Sequence, residues 1–174
     1  MLRKAAAGLR ARMIDNGVEA PSVDVIVYAM NIVANTLSIV VLSLLAGLLT
    51  GEFGRTVLVL GVFALIRYLS GGYHLKSGLW CIVVSSAVMS VIPHIHLSDN
   101  WTSILTAIAL VVVILLAPAN YDKYATIDPK YFPLMKVISS LVVASNFVFM
   151  SDVMALAFIT QAGLLPFKEG GEQG

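Results

Sequence analysis

The chain has 174 residues and a net charge of +1; 59% of the residues are hydrophobic, 12% are charged, and mean hydropathy is +0.90. A soluble domain carries about 25% charged residues, so too few polar side chains remain here to cover a water-facing surface. The composition predicts an integral membrane protein and excludes a nucleic-acid partner, which needs a basic face. One cysteine excludes an internal disulfide, and with only three scattered histidines it offers no metal-ligand set. No cofactor is expected.

Residues 1–24, MLRKAAAGLRARMIDNGVEAPSVD, show no apolar core before Val25, unlike a cleavable signal peptide. They fit an amphipathic surface helix in which Leu2, Leu9, Met13 and Ile14 share an apolar side and four basic residues meet anionic headgroups. The same charges can equally serve only to fix topology.

Six apolar stretches follow, over residues 25–49, 56–69, 79–97, 101–116, 135–150 and 153–167. Crossing the hydrocarbon core takes roughly 20 residues, so the last two can also be one broken helix; six spans are preferred. The fold class is therefore all-α and polytopic, with an amphipathic segment over 1–24, a six-span domain over 25–167 and a polar, Gly-rich tail over 168–174. With the N-terminus cytoplasmic, ten of the eleven Lys and Arg residues fall inside and only Arg55 falls outside. That asymmetry is what the positive-inside rule predicts. Both termini and residues 67–78 are then cytoplasmic, in a multi-pass protein of a cell membrane.

The segment RYLSGGYHLKSGLWC, residues 67–81, gathers Arg67, Gly71, Gly72, His74, Lys76 and the lone Cys81 at that boundary. Paired glycines break a helix or let backbone approach a ligand closely. Ser77-Gly78 ahead of an apolar run predicts a helix start with Ser77 as N-cap. Cys81 then lies within the first turn or so, where unpaired amides and the helix dipole favour the nucleophilic thiolate. On one continuous helix, His74 and Cys81 would stand about 10 Å apart along the axis, beyond the hydrogen-bond reach that proton transfer requires. A catalytic pair thus requires that a loop interrupt the helix. An inert apolar cysteine and an interfacial histidine are the plain alternative. Ser85 lies on the face of Cys81, one turn on.

The pattern R-x3-GGYH-x6-C, on Arg67, Gly71, Gly72, Tyr73, His74 and Cys81, resembles the accessory gene regulator B (AgrB) family of bacterial quorum-sensing membrane peptidases. The stretch LLAPANYDKYATIDP, residues 115–129, adds an Ala-Pro at a span end followed by a polar, basic loop. The resemblance implies a cysteine endopeptidase with His74 as general base and Cys81 as nucleophile. It implies as partner a short, membrane-bound amphipathic propeptide (AgrD-like), whose C-terminal part is removed through an acyl-enzyme thioester. A cyclic thiolactone or lactone is then released. Arg67 either holds an acidic substrate group or only anchors topology. Tyr73, Lys76, Ser85 and the paired glycines are candidate supporting residues, and Lys123 and Lys130 can meet a charged peptide tail.

The competing reading is a small transporter, with Asn31, Asn35, Asn146 and Gln161 along a polar path or, more simply, bonding between helices. A structural assembly factor is a third. Short spans further suggest a homodimer, with Ser43, Ala46 and Gly47 or Ser139, Ser140 and Ala144 as close-packing surfaces.

Overall fold

The computed structural model describes residues 1–73, 77–120 and 127–167. Among them are eight α-helices: α1 (Leu2–Asp15), α2 (Val23–Thr50), α3 (Phe53–Ser70), α4 (Gly78–Val91), α5 (Asp99–Leu116), α6 (Phe132–Ala144), α7 (Asn146–Phe149) and α8 (Asp152–Ala162). Four stretches are long and apolar enough to cross a membrane: Val23–Thr50, Phe53–Ser70, Asp99–Leu116 and Pro129–Phe149. Gly78–His94 and Asp152–Ala162 are shorter apolar helices. The protein is an all-α polytopic membrane protein.

Local chemistry sets the helix ends. The Ser22 hydroxyl accepts from the Val25 amide at 3.4 Å to open α2, and Gly51 closes it in the left-handed region at φ 80°. The third apolar stretch was expected to run helical to Leu97, but α4 stops at Val91. A 3-10 turn at Ile92–His94 follows, since Pro93 has no amide to continue the ladder. The fifth and sixth stretches are separate helices. Met150 turns left-handed at φ 49°, and Ser151 caps α8 by accepting from the Met154 amide at 3.3 Å. Asn146 fastens the reversal. Its amide nitrogen donates to Thr106 Oγ1 at 2.9 Å and to the Ser151 carbonyl at 3.0 Å, while its oxygen accepts from the Ser151 amide at 3.0 Å.

The α8 helix is the centre of the bundle, with Val153, Ala155, Ala157, Phe158, Gln161 and Ala162 all buried. Phe158 and Ala162 pack with Ile66 of α3, Ala109 and Val113 of α5, and Val143 of α6. Outward-facing apolar side chains such as Leu37, Leu48, Leu115 and Leu141 stay exposed, as suits helices bathed in lipid. Eleven residues make α8 only about 16 Å long, roughly half the hydrocarbon thickness. Both of its ends therefore need polar partners from the protein. At one end Arg55 of α3 supplies them, donating to the carbonyls of Pro93 at 2.7 Å and Ile95 at 3.0 Å and to the Asp152 carboxylate at 3.0 Å.

Several of the small residues considered for pairing two chains are spent inside one. Ser43, Gly47 and Ser139 are buried, and a Cβ on Gly47 would lie 2.3 Å from Thr56 Oγ1. The α1 helix packs on α2 through Ala6, with Arg3 pairing to Asp24 at 2.7 Å. Leu2, Leu9 and Ile14 remain uncovered.

Candidate active site

At the other end of α8, three chain segments are knotted together. The α3 helix ends as the Gly71 amide donates to the Arg67 carbonyl at 3.0 Å. Gly71 and Gly72 then take φ values of 68° and 119°, open to glycine and strained for other residues. This turns the chain onto the segment after α5. The Ala119 amide donates to the Ser70 carbonyl, and the Gly72 amide to the Ala119 carbonyl, each at 2.9 Å. Tyr73 is tied to the segment after α8, its amide donating to the Leu164 carbonyl at 3.1 Å. Its ring lies 6.0 Å from that of Phe167. Asn120 closes the knot by donating from its side chain to the Phe167 carbonyl at 2.9 Å. The polar groups of this irregular backbone find partners inside the protein, which is what irregular backbone needs wherever water is excluded.

Two side chains fill the middle of the knot. Arg67, partly buried, donates to the carbonyls of Tyr73 and Gly72. Gln161, fully buried, donates from Nε2 to the Gly71 carbonyl at 2.6 Å and to Ser70 Oγ at 3.0 Å. Its Oε1 accepts from Arg67 Nη1 at 3.5 Å. A Cβ on Gly72 would lie 2.9 Å from Arg67 Nη1 and 3.2 Å from Gln161 Nε2. The close approach expected of the paired glycines is therefore to this Arg–Gln pair. The bonds described for Arg67 are likewise to its own chain, not to an open substrate surface.

The helix interruption that a Cys–His pair requires is present: α3 ends at Ser70 and α4 begins at Gly78. Ser77 stands at the N-cap as expected, but its side chain makes no capping bond; its carbonyl accepts the Cys81 amide at 2.9 Å. Cys81 is thus the first residue of α4 to close a helical hydrogen bond. Its side chain is partly buried and, like all helical side chains, leans back over the first turn. Gly78 is pressed against Asn35 of α2, where an added Cβ would lie 3.0 Å from the amide nitrogen. Ser85 is partly buried one turn beyond Cys81. His74 and Lys76 lie outside the described residues, as do Lys123 and the tail over 168–174. Lys130 pairs with Asp128 at 2.9 Å.

Three of the four amides considered for a transport path stand in different surroundings. Asn146 and Gln161 are both buried and hydrogen-bonded, near opposite ends of α8, while Asn31 faces outward. Beside the knot, a groove of about 460 Å³ is lined by Leu115, Leu116, Ala117, Pro118, Phe132, Pro133 and Lys136.

The sequence pattern signalled Arg67 and the glycines but not their partners. Ser70, Ala119, Gln161 and Leu164 come from three separate segments. The one local signal was the cost of an uncompensated glutamine in an apolar helix.

Comparison with known proteins agrees with this architecture. An AgrB-like protein of Halalkalibacterium halodurans is 24% identical over 140 residues, covering 80% of this chain and 71% of the relative. No solved structure matches the chain. The model of the family described as Accessory gene regulator B matches residues 4–166, nearly the whole chain. The chain belongs to the accessory gene regulator B family of the agr quorum-sensing system.

Proposed function

We propose that the chain is a membrane cysteine endopeptidase that matures an AgrD-like propeptide into a cyclic signal. His74 takes the proton of the Cys81 thiol, and the sulfur attacks a peptide carbonyl near the propeptide's C-terminus. The C–N bond breaks, the amine leaves with the proton, and the N-terminal part remains as a thioester on Cys81. A thiol or hydroxyl within that part then attacks the thioester. The new ring closes, and Cys81 recovers its proton. Thioester exchange is nearly balanced in bond type, so the site need contribute chiefly positioning and exclusion of water.

The observation that carries this reading is the position of Cys81 in the opening turn of α4, after a helix break that begins at Gly71 and is tied down at Tyr73. Dyad logic asks for that: a nucleophile on a rigid element and a base within loop reach. The groove bounded by Pro118, Phe132 and Lys136 is the subsite we assign to apolar residues of the propeptide. The basic residues support a cytoplasmic site and cytoplasmic termini, since Arg55 lies at the end of the bundle away from Arg67. In this reading α1 rests on membrane lipid. Two chains pair through a surface other than Ser43, Gly47 and Ser139.

Co-expression with a short propeptide, followed by mass determination of the released product, tests the activity. A product lighter than its linear form by one water, absent with Cys81→Ala and with His74→Ala, is expected. Release of the same product by either variant would refute the dyad. The mass of the nanodisc-held protein, corrected for lipid, tests the dimer; full activity in a single-chain sample removes it as a requirement.

A further inference from the structure

A polar side chain from another helix meets the opening turn of α4. Asn35 of α2 lies against Gly78, with its amide nitrogen 3.0 Å and its amide oxygen 3.4 Å from where a Cβ would stand. A glycine there lets the whole amide come close to the α4 backbone. The level of the contact follows from the helix directions. The α3 helix runs back along α2 from the meeting of Gly47 with Thr56, and Arg55 near its start donates to the Pro93 and Ile95 carbonyls just past α4. The α2 and α4 helices therefore run in the same direction, and Asn35 stands where α4 begins. Gly78 is three positions before Cys81, so the two are neighbours on the helix surface. The Cys81 side chain leans back toward that turn. Asn35 is half-buried within an apolar span, and among the described residues its amide has no hydrogen-bond partner. A polar group so placed costs stability unless it is paired or used.

We propose that Asn35 is a catalytic hydrogen-bond donor: its Nδ2 holds the oxygen of the carbonyl that Cys81 attacks. As the C–S bond forms, the π pair of the C=O moves onto that oxygen, and Asn35 donates to the negative charge without losing its proton. When the C–N bond breaks, the pair returns and the C=O is restored. The same oxygen becomes negative again when the internal thiol or hydroxyl attacks the thioester, so one donor serves both halves of the reaction. A donor fixed in advance at such an oxygen gives more to catalysis in a site that excludes water than it would in solution. The proposal rests on Cys81 as the nucleophile, not on the identity of its base, and the experiment separates the two.

Two reactions of the same sulfur tell the roles apart. Alkylation by iodoacetamide displaces iodide and forms no oxyanion, whereas propeptide processing forms one in each step. Cys81 is the only cysteine, so alkylation of the nanodisc-held protein reports on it alone. Asn35→Leu keeps the approximate shape and removes the donor. It is expected to lose about 100-fold or more in kcat on a synthetic propeptide, with KM held within about threefold and the alkylation rate within about twofold of wild type. A kcat within about threefold of wild type, while Cys81→Ala is inactive, overturns the donor and leaves the nucleophile standing. Processing and alkylation that fall together also overturn it, because Asn35 would then place Cys81 rather than hold the substrate. Normal processing by Cys81→Ala overturns the nucleophile, and the role of Asn35 falls with it. Should Asn35→Leu fail to fold, Asn35→Ala is read the same way, since it opens space beside Gly78 instead of filling it.

Discussion

Arg55 and Asp152, 97 residues apart in sequence, meet at 3.0 Å and join the start of α3 to the start of α8. The two are not equivalent, because Arg55 also donates to the Pro93 and Ile95 carbonyls. Both side chains are largely covered, with 28% and 16% of their surface exposed. Arg55→Ala should therefore destabilise the protein by about 1–3 kcal/mol, and Asp152→Asn by less, since a hydrogen-bonding partner for Arg55 remains. Thermal unfolding in a mild detergent measures both. An Asp152→Asn loss equal to or larger than that of Arg55→Ala would contradict this ordering.

The contact of α2 with α3 is set by the absence of a side chain at Gly47. With Thr56 Oγ1 2.3 Å and Thr56 Cβ 2.7 Å from where a Cβ would stand, Gly47→Ala has to push the helices apart. A loss of about 1–3 kcal/mol is expected. Thr56→Ala in the same chain should recover only part of it, because the Thr56 Cβ itself is in the way. Full recovery in the double variant would show that the helices were free to move.

Gly72 and Gly61 offer a paired comparison. Gly61 lies inside α3 with open space around it, so Gly61→Ala should leave stability unchanged or raise it by up to about 1 kcal/mol. Gly72→Ala places a Cβ against Arg67 and Gln161 at a φ of 119°. It should abolish propeptide processing while the protein still inserts in the membrane. Normal processing by Gly72→Ala would mean that the knot is not needed for activity.

Topology is checked on a Cys81→Ser background. A cysteine at Lys130 should be shielded from a membrane-impermeant maleimide in intact cells, and one at Glu52 should be labelled. The reverse pattern would invert the orientation.

Much of the fold was legible because its signals are local. Apolar runs gave the helices, and Ser77-Gly78 gave the start of α4. The errors fell where backbone geometry competes with hydropathy. Residues 95–97 and 163–167 were read into the apolar stretches on the strength of Ile95, Leu97, Leu164, Leu165 and Phe167. They are nonetheless spent on the turn after Pro93 and on carbonyls that serve Tyr73 and Asn120. The knot was invisible for a different reason. Gln161 and Gly71 have no pattern in common, and only the fold brings them together. Arg67 was noticed as a charge to be explained, but a sequence does not tell whether a guanidinium points toward a substrate or back into its own loop.

One dimension of α8 has a bearing on how such a chain can change. Gln161, pinned to Gly71, lies nine positions after Asp152, pinned by Arg55, a distance of about 14 Å along the axis. The helix thus serves as a ruler between two fixed marks. Adding or removing one residue within it would rotate one mark by about 100° away from its partners. Substitutions between the two marks that respect volume can be absorbed singly, but changes in the length of α8 cannot. Insertions and deletions should therefore be confined to the connections outside the two marks.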